Sequence, residues 1–328
     1  TATDTTAYTY GDSNWKGKLT AYGSTQLTYD AIGNPLTYRG FTLTWQNGRQ
    51  LAAMQLMQMR IEFTYDVDGL RTSKTIPNVD LEHKYYYVGN RLLYETISDS
   101  SALWYFYDAD GNPSGIRYKD NSGTVNDYYF VCNWRGDVIQ IYNASGTLVG
   151  SYTYDAWGKV TENATAADTQ NITETNPIRY RGYYYDTETR LYYLKSRYYD
   201  PAVKRFLNVD GLVSTSIEDA AKNMYAYCLN NPVIYADPEG DSFIEINKTM
   251  FNTILWGINT VNSAVSNYKK QNSTSYYPDY AKAEEKAFTA LETVGLYFAD
   301  QLFDTYLPAL AQSSVLDNVF FDGAKHLS

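Results

Sequence analysis

Residues able to carry acid, base, nucleophilic or metal chemistry are few in this 328-residue chain. Histidine occurs twice, at His83 and His326, so histidine-rich metal sites and histidine-dependent nuclease constellations are hard to build. Two cysteines, Cys132 and Cys228, give neither a disulfide framework nor a Cys-x-x-Cys ligand pair. Two buried thiols and a single bridge both fit them. No metal ion and no cofactor is expected from this inventory. Carboxylates remain. Near the C-terminus, Glu284-Glu285 and the Asp300/Asp304 pair are acidic enough for general-acid work, but on amphipathic helices such groups more often form a solvated face.

The elements that would position any chemistry are announced by tyrosine. The chain holds 35 Tyr against 12 Phe and 6 Trp, within 44% hydrophobic and 20% charged residues, enough to bury a sizeable core. Rings that carry hydroxyls suit half-buried pleated surfaces. With 27 Lys+Arg against 37 Asp+Glu the net charge is -10, which speaks against a general nucleic-acid or anionic-membrane binder. No run of 18 apolar residues is present, so no membrane-spanning helix is expected. The opening Thr-Ala-Thr-Asp-Thr-Thr has neither an initiator Met nor a signal-peptide pattern, and reads as part of a longer chain.

The tyrosines repeat. Tyr-[Asp/Asn]-x-x-Gly occurs at Tyr29 to Gly33, Tyr65 to Gly69, Tyr107 to Gly111, Tyr142 to Gly146 and Tyr154 to Gly158. Shorter forms stand at Tyr38-Arg39-Gly40 and Tyr87-Val88-Gly89, while Tyr185-Asp186 and Tyr199-Asp200 keep the dipeptide alone. Asp or Asn at the head of a turn bonds its own backbone two residues on, and glycine three later takes the positive φ that closes a type I turn with a bulge. Each motif therefore predicts a hairpin tip. The flanks alternate as strands do: Phe41 to Trp45, Ile61 to Tyr65 and Val149 to Tyr154 put aromatic or aliphatic groups on one face and Thr, Ser or Glu on the other. Successive hairpins of this kind bury a face only by stacking, so the array should coil into a solenoid, barrel or shell. Aromatic and Gly-rich repeats also build carbohydrate or choline-binding solenoids, although those lean on Trp, and here Trp15, Trp45, Trp104, Trp134, Trp157 and Trp256 are scattered singly.

Residues 162 to 177 are small and polar and read as an exposed loop. Beyond them Arg179-Tyr180-Arg181-Gly182-Tyr183-Tyr184-Tyr185-Asp186 and Leu191-Tyr192-Tyr193-Leu194-Lys195-Ser196-Arg197-Tyr198-Tyr199-Asp200-Pro201 form a hairpin with a dense Tyr and Arg ladder. Arg205-Phe206, Asn230-Asn231-Pro232-Val233 and Asp237-Pro238-Glu239-Gly240 follow in that order. Over residues 8 to 240 the sequence resembles the RHS repeat-associated core domain with its attached YD repeats, a group that includes bacterial RHS polymorphic toxins, wall-associated proteins, the C component of insecticidal toxin complexes and the animal teneurins. The resemblance implies a mainly β fold: a spiralling antiparallel β-hairpin shell over residues 1–175, a core plug over 176–240, and a variable, short helical region over 241–328 that is a toxin, part of one, or a linker. It further implies that the shell holds and delivers its own C-terminal effector as cargo, secreted or at the cell surface, in competition between bacteria, with a cognate immunity protein as partner. An adhesion or carbohydrate-binding surface protein that is never cut is the alternative.

Many bacterial members cut their own chain just past the Asp-Pro-x-Gly motif, using two aspartates and an arginine. Matched residue by residue, these are Asp210, Asp237 and Arg205. One protonated and one ionised Asp could activate water and protonate the leaving amide, with arginine fixing charge and position. The sequence departs from the family pattern in three respects: Asn208-Val209-Asp210-Gly211 lacks the proline, the two aspartates are 27 residues apart, and Asp241-Ser242 stands where an apolar residue often follows. The region 241–328 shows helical spacing at Ile254, Leu255, Ile258, Val261 and Val265, and again from Phe288 to Tyr306. It carries six lysines, no arginine and ten acidic residues, a net charge of -4, unlike a nuclease.

Overall fold

Seven reversals of the chain share one construction. At Asp30, Asp66, Asp108, Asn143 and Asp155 the side-chain Oδ1 accepts the backbone N–H groups two and four residues on. The glycine three residues on donates its N–H to the first residue's carbonyl, and its φ lies between 77° and 89° in these five turns. Such backbone is free of strain only for glycine. Asp120 to Gly123 and Asn133 to Gly136 close in the same way, although Lys119 and Cys132 stand where the repeat has Tyr.

In this computed structural model the described residues are 5–209 and 223–241, with the backbone of Ile244–Glu245. They belong to the unit Thr1–Asn247; the second unit, Lys248–Ser328, and the helical expectation for it lie outside the described residues, as does Asp210. The hairpins join into a thirteen-stranded antiparallel sheet in which every strand pairs with its neighbours in sequence, from Thr37–Tyr38 at one edge to Val160–Ala164 at the other. Register slips at Tyr65, Tyr107, Cys132 and Tyr142, one residue before a turn, mark the bulges that these turns require. The motif tyrosines complete the ladder. Tyr65, Tyr107 and Tyr154 donate their hydroxyls to the carbonyls of Leu51, Leu92 and Val138, each on the adjacent strand just past the last paired residue. A backbone acceptor that pairing has left behind is thereby satisfied.

A four-stranded sheet, Tyr184–Asp186, Leu191–Leu194, Arg197–Asp200 and Arg205–Phe206, forms the plug. Every residue of these strands is buried, so alternation here does not separate wet from dry. It separates two cores. Tyr184, Leu191, Tyr193 and Tyr198 join the apolar cluster on the inner face of the large sheet, whereas Tyr185, Tyr192, Leu194, Tyr199 and Phe206 pack with Tyr180, Tyr183, Tyr227 and Cys228. The Tyr-Tyr doublets are therefore one ring for each face.

The large sheet rolls around this plug. Flat, its thirteen strands would hold the edges about 58 Å apart at a normal strand spacing. Yet Asp200 accepts from Tyr38 on one edge strand at 3.1 Å, and the adjacent Tyr199 donates to Trp157 in the turn before the other edge strand at 2.7 Å. Both edges converge on neighbouring residues. The expected exposed loop over 162–177 is half correct: Ile172, Thr173 and Asn176 are buried. Asp168 accepts the N–H groups of Ile172 and Thr173, and Tyr152 donates to the Thr173 carbonyl, so the polar side chains serve the backbone rather than water. Past Gly240 the chain forms one more two-residue strand, Ile244–Glu245, paired with Tyr235–Ala236.

Candidate functional site

The Asp237-Pro238-Glu239-Gly240 motif is a turn whose polar backbone groups are held by the plug. Tyr183 accepts the Asp237 N–H at 3.0 Å, and the Asp237 carboxylate accepts the Gly240 N–H at 2.8 Å. Ser196 donates both its backbone N–H and its hydroxyl to the Glu239 carbonyl, at 3.1 and 2.7 Å. Lys195 and Asn90 reach the Glu239 carboxylate. Gly240 is obligatory: its φ is +77°, and a Cβ there would lie 2.5 Å from the Leu194 carbonyl oxygen.

The arginine on this turn is Arg197. Its Nη2 lies 3.2 Å from Asp237 Oδ2, its Nε donates to the Gly240 carbonyl, its Nη1 donates to Met224, and its guanidinium lies 3.7 Å over the Phe206 ring. Both partners are buried, Arg197 at 5% exposure and Asp237 at 3%. Arg197 stands inside the Leu191–Pro201 motif, two residues before Tyr199 and so on the same side of its strand, the one signal in the sequence that sets it on the Asp237 side of the plug. Arg205 is equally buried and sits elsewhere, donating to the Gly17 carbonyl at 2.7 Å and stacking over Tyr225. Asp210 lies outside the described residues, but its neighbour Val209 is fully buried and its carbonyl accepts from Arg49. Arg49 also lines a cavity of about 520 Å³ with Lys195, Ser196, Glu239 and Asp241, which opens beside the Gly240 turn.

The other buried charges fasten plug to wall. Asp186 takes Arg71 in a two-pronged contact at 2.6 and 3.1 Å, and Lys74 bridges Asp186 and Glu188. Arg71 is ringed by Tyr85, Tyr184, Tyr193 and Tyr198. Burial alone would raise the Asp186 carboxyl, but Arg71 and Lys74 outweigh it and hold it below its ordinary range. Asp200 pairs with Arg39, and its second oxygen caps the N–H groups of Ala202 and Val203. Glu95 on the wall accepts from Tyr105 and from Tyr184 of the plug, with His83 Nδ1 at 2.5 Å. Its carboxyl is raised by burial and lowered further by His83 and Tyr105, with a net shift downward.

Cys132 and Cys228 are both free, and burial pushes the Cys132 thiol up to about 11 and Cys228 higher still, so neither is an activated nucleophile. Among the described residues no group of three or more His, Cys, Asp or Glu side chains is placed to hold a metal ion, and no helix is long and apolar enough to cross a membrane.

Comparison with known proteins places this architecture. The crystal structure of TcdB2-TccC3-Cdc42 superposes with a TM-score of 0.55 over 72% of this chain and 13% of that one, at 22% identity, a likeness of fold. In sequence, the tRNA3(Ser)-specific nuclease WapA of Bacillus spizizenii is 35% identical over 232 residues, and the toxin protein Tse5 of Pseudomonas aeruginosa is 29% identical over 134. The matched part is 69% of this chain but 10% of the WapA chain, and 41% against 9% for Tse5, so the chain spans a small fraction of these relatives. The teneurin YD-shell family model matches residues 16–233, the span that holds both the rolled hairpin sheet and the tyrosine plug, and the chain belongs to that family.

Proposed function

We propose that residues 1–240 form wall and plug of an RHS-type shell that encloses and delivers a variable effector carried by residues 241–328, and that the chain cuts itself just past Gly240. The acid pair would be Asp237 and Asp210, with Arg205 fixing the segment that leads to Asp210. The observation that carries this reading is the Asp237–Gly240 turn, buried at both ends and bonded to the plug at the point where the shell passes into the C-terminal region. Relatives named as a tRNA nuclease and a toxin support delivery of an effector; those activities are theirs. A secreted or surface location, a role in competition between bacteria and a cognate immunity protein follow from the same reading.

The mass of the purified chain tests cleavage, and a cut species that Asp237→Asn abolishes is the expected result. Expression of residues 241–328 in a bacterial host tests the effector: growth arrest relieved by the neighbouring gene product is expected, and harmless expression counts against it. The carbohydrate-binding alternative finds less support, since most motif tyrosines turn their hydroxyls into the ladder, and the outer row Tyr86, Tyr94 and Trp104 stacks on itself at 5.4 and 4.8 Å.

A further inference from the structure

We propose that the outer face of the wall carries an oxidative coupling site, at which a peroxide-driven one-electron oxidant joins Tyr86 and Tyr94 as a dityrosine and Trp104 relays the oxidation. Tyr86 on strand Leu81–Val88, Tyr94 on Arg91–Ile97 and Trp104 on Ala102–Tyr107 stand directly opposite one another on adjacent strands. A bulge makes this so. The ladder pairs Leu92 with Tyr87 and then Tyr94 with Tyr86, leaving Leu93 as the extra residue; in an unbroken register Leu93 would face Tyr86. Cross-strand neighbours on one face are close enough for their rings to touch. Here the Tyr86 and Tyr94 rings lie 5.4 Å apart at 30°, and those of Tyr94 and Trp104 4.8 Å apart at 32°. Beyond Trp104 the row passes to Arg117, which is paired with Asp127, so the readily oxidised groups end there. Tyr86, at the other end, is 48% exposed and open to an oxidant. The motif tyrosines are differently placed, because Tyr65, Tyr107 and Tyr154 spend their O–H groups on carbonyls. Among the described residues the Tyr86 and Tyr94 hydroxyls have no such acceptor, and their protons can leave to water.

In the step, each phenol loses one electron and one proton, and the two phenoxyl radicals bond through the carbons ortho to their oxygens. The hydrogens on those carbons then move to the oxygens and restore both phenols. One hydrogen peroxide accepts the two electrons and two protons and leaves as two waters. Where Trp104 is oxidised first, it takes its electron from Tyr94 across the ring contact. The new bond staples two neighbouring wall strands on the solvent side and leaves the inner face, with its plug contacts, unchanged.

The test is treatment of the full chain with a peroxidase and hydrogen peroxide, followed by trypsin digestion and mass spectrometry. Residues 85–91 and 92–117 are separate tryptic peptides. The expected product is a joined pair, lighter than their sum by two hydrogens, with dityrosine fluorescence and with fragmentation that places the bond on Tyr86 and Tyr94. Tyr86→Phe and Tyr94→Phe should each lose it, and Trp104→Phe should lower its yield. Tyr129→Phe should leave it unchanged: Tyr129 is as exposed as Tyr86, at 49%, but stands outside the row. Separate peptides after treatment, a bond to Tyr85 or Tyr87 instead, coupling only between two copies of the chain, or a joined pair that survives in Tyr86→Phe overturns the site. An undiminished yield in Trp104→Phe overturns the relay. Should a variant fail to fold, the fragmentation of the wild-type pair still decides.

Discussion

At the scale of single residues, the buried charges carry the sharpest consequences. Asp186 is fully buried between Arg71 and Lys74, so Asp186→Asn leaves Arg71 without its counter-charge in a ring of tyrosines and Lys74 with Glu188 alone. Breaking such a cluster costs about 3–5 kcal/mol, and urea unfolding of the variant against the parent measures it. The same residue sets a pH dependence. The folded-state values of Asp186 and Glu95 lie below their ordinary 3.8 and 4.5, so the stability they contribute is complete above those values and is lost as pH falls through the depressed ones. Stability should therefore decline progressively below about pH 4, and Asp186→Asn should flatten that decline; an unchanged slope would remove Asp186 from the account. The sequence marked Tyr185-Asp186 and Tyr199-Asp200 as dipeptides without the turn glycine, and marked Asp237 as chemistry. It did not reveal that Asp186 meets Arg71 across 115 residues, or that Arg197 rather than Arg205 reaches Asp237, because such pairings depend on how the sheet closes.

At the scale of elements, the hairpin tip was the most legible unit, since one carboxylate and one glycine fix it locally. Gly146 and Gly158 separate its two demands. Both have positive φ, 77° and 86°, but a Cβ at Gly146 meets nothing within 4 Å, whereas at Gly158 it would lie 2.6 Å from the Tyr180 ring. Gly146→Ala should cost about 1–2 kcal/mol, the price of left-handed backbone, and Gly158→Ala distinctly more; equal losses in chemical denaturation would count against the packing argument. The tyrosine hydroxyls divide similarly. Tyr65→Phe removes bonds to the Leu51 carbonyl and to Tyr198 and should cost about 1 kcal/mol, while Tyr129→Phe, 49% exposed, should leave the midpoint unchanged. Turns at Asp120 and Asn133 escaped the repeat because Lys119 and Cys132 precede them, although the bonding is the same. The stretch around Ile172 escaped because its polarity is spent on its own backbone.

At the scale of the molecule, what the hairpins build was legible as a family resemblance, but the physical reason for closure was not, because it lies in contacts between distant parts. The plug has short strands buried on both faces, and its charges find partners on the wall from the Arg39 turn to the Lys74 strand. Its tyrosines reach the Gly158 and Trp157 carbonyls near the far edge of the same sheet. A plug with its own core would open separately from the wall. Here one face of the plug sheet lies in the same apolar cluster as the wall, and the other, packed with Tyr180, Tyr183, Tyr227 and Cys228, is bordered by Tyr154, Trp157 and Val160 of the wall. Wall and plug should therefore unfold as one cooperative unit. Native-state hydrogen exchange in rising denaturant measures this: amides of Tyr192, Tyr193, Tyr198 and Tyr199 should merge into one isotherm with those of Ile61, Phe63 and Ile141 on the wall. The exposed strand Tyr8–Thr9, in its separate three-stranded sheet, should open earlier. If the plug amides exchanged at a free energy well below those of the wall, the plug would be a docked lid, and the ion pairs of Asp186 and Asp200 would contribute latching rather than core stability.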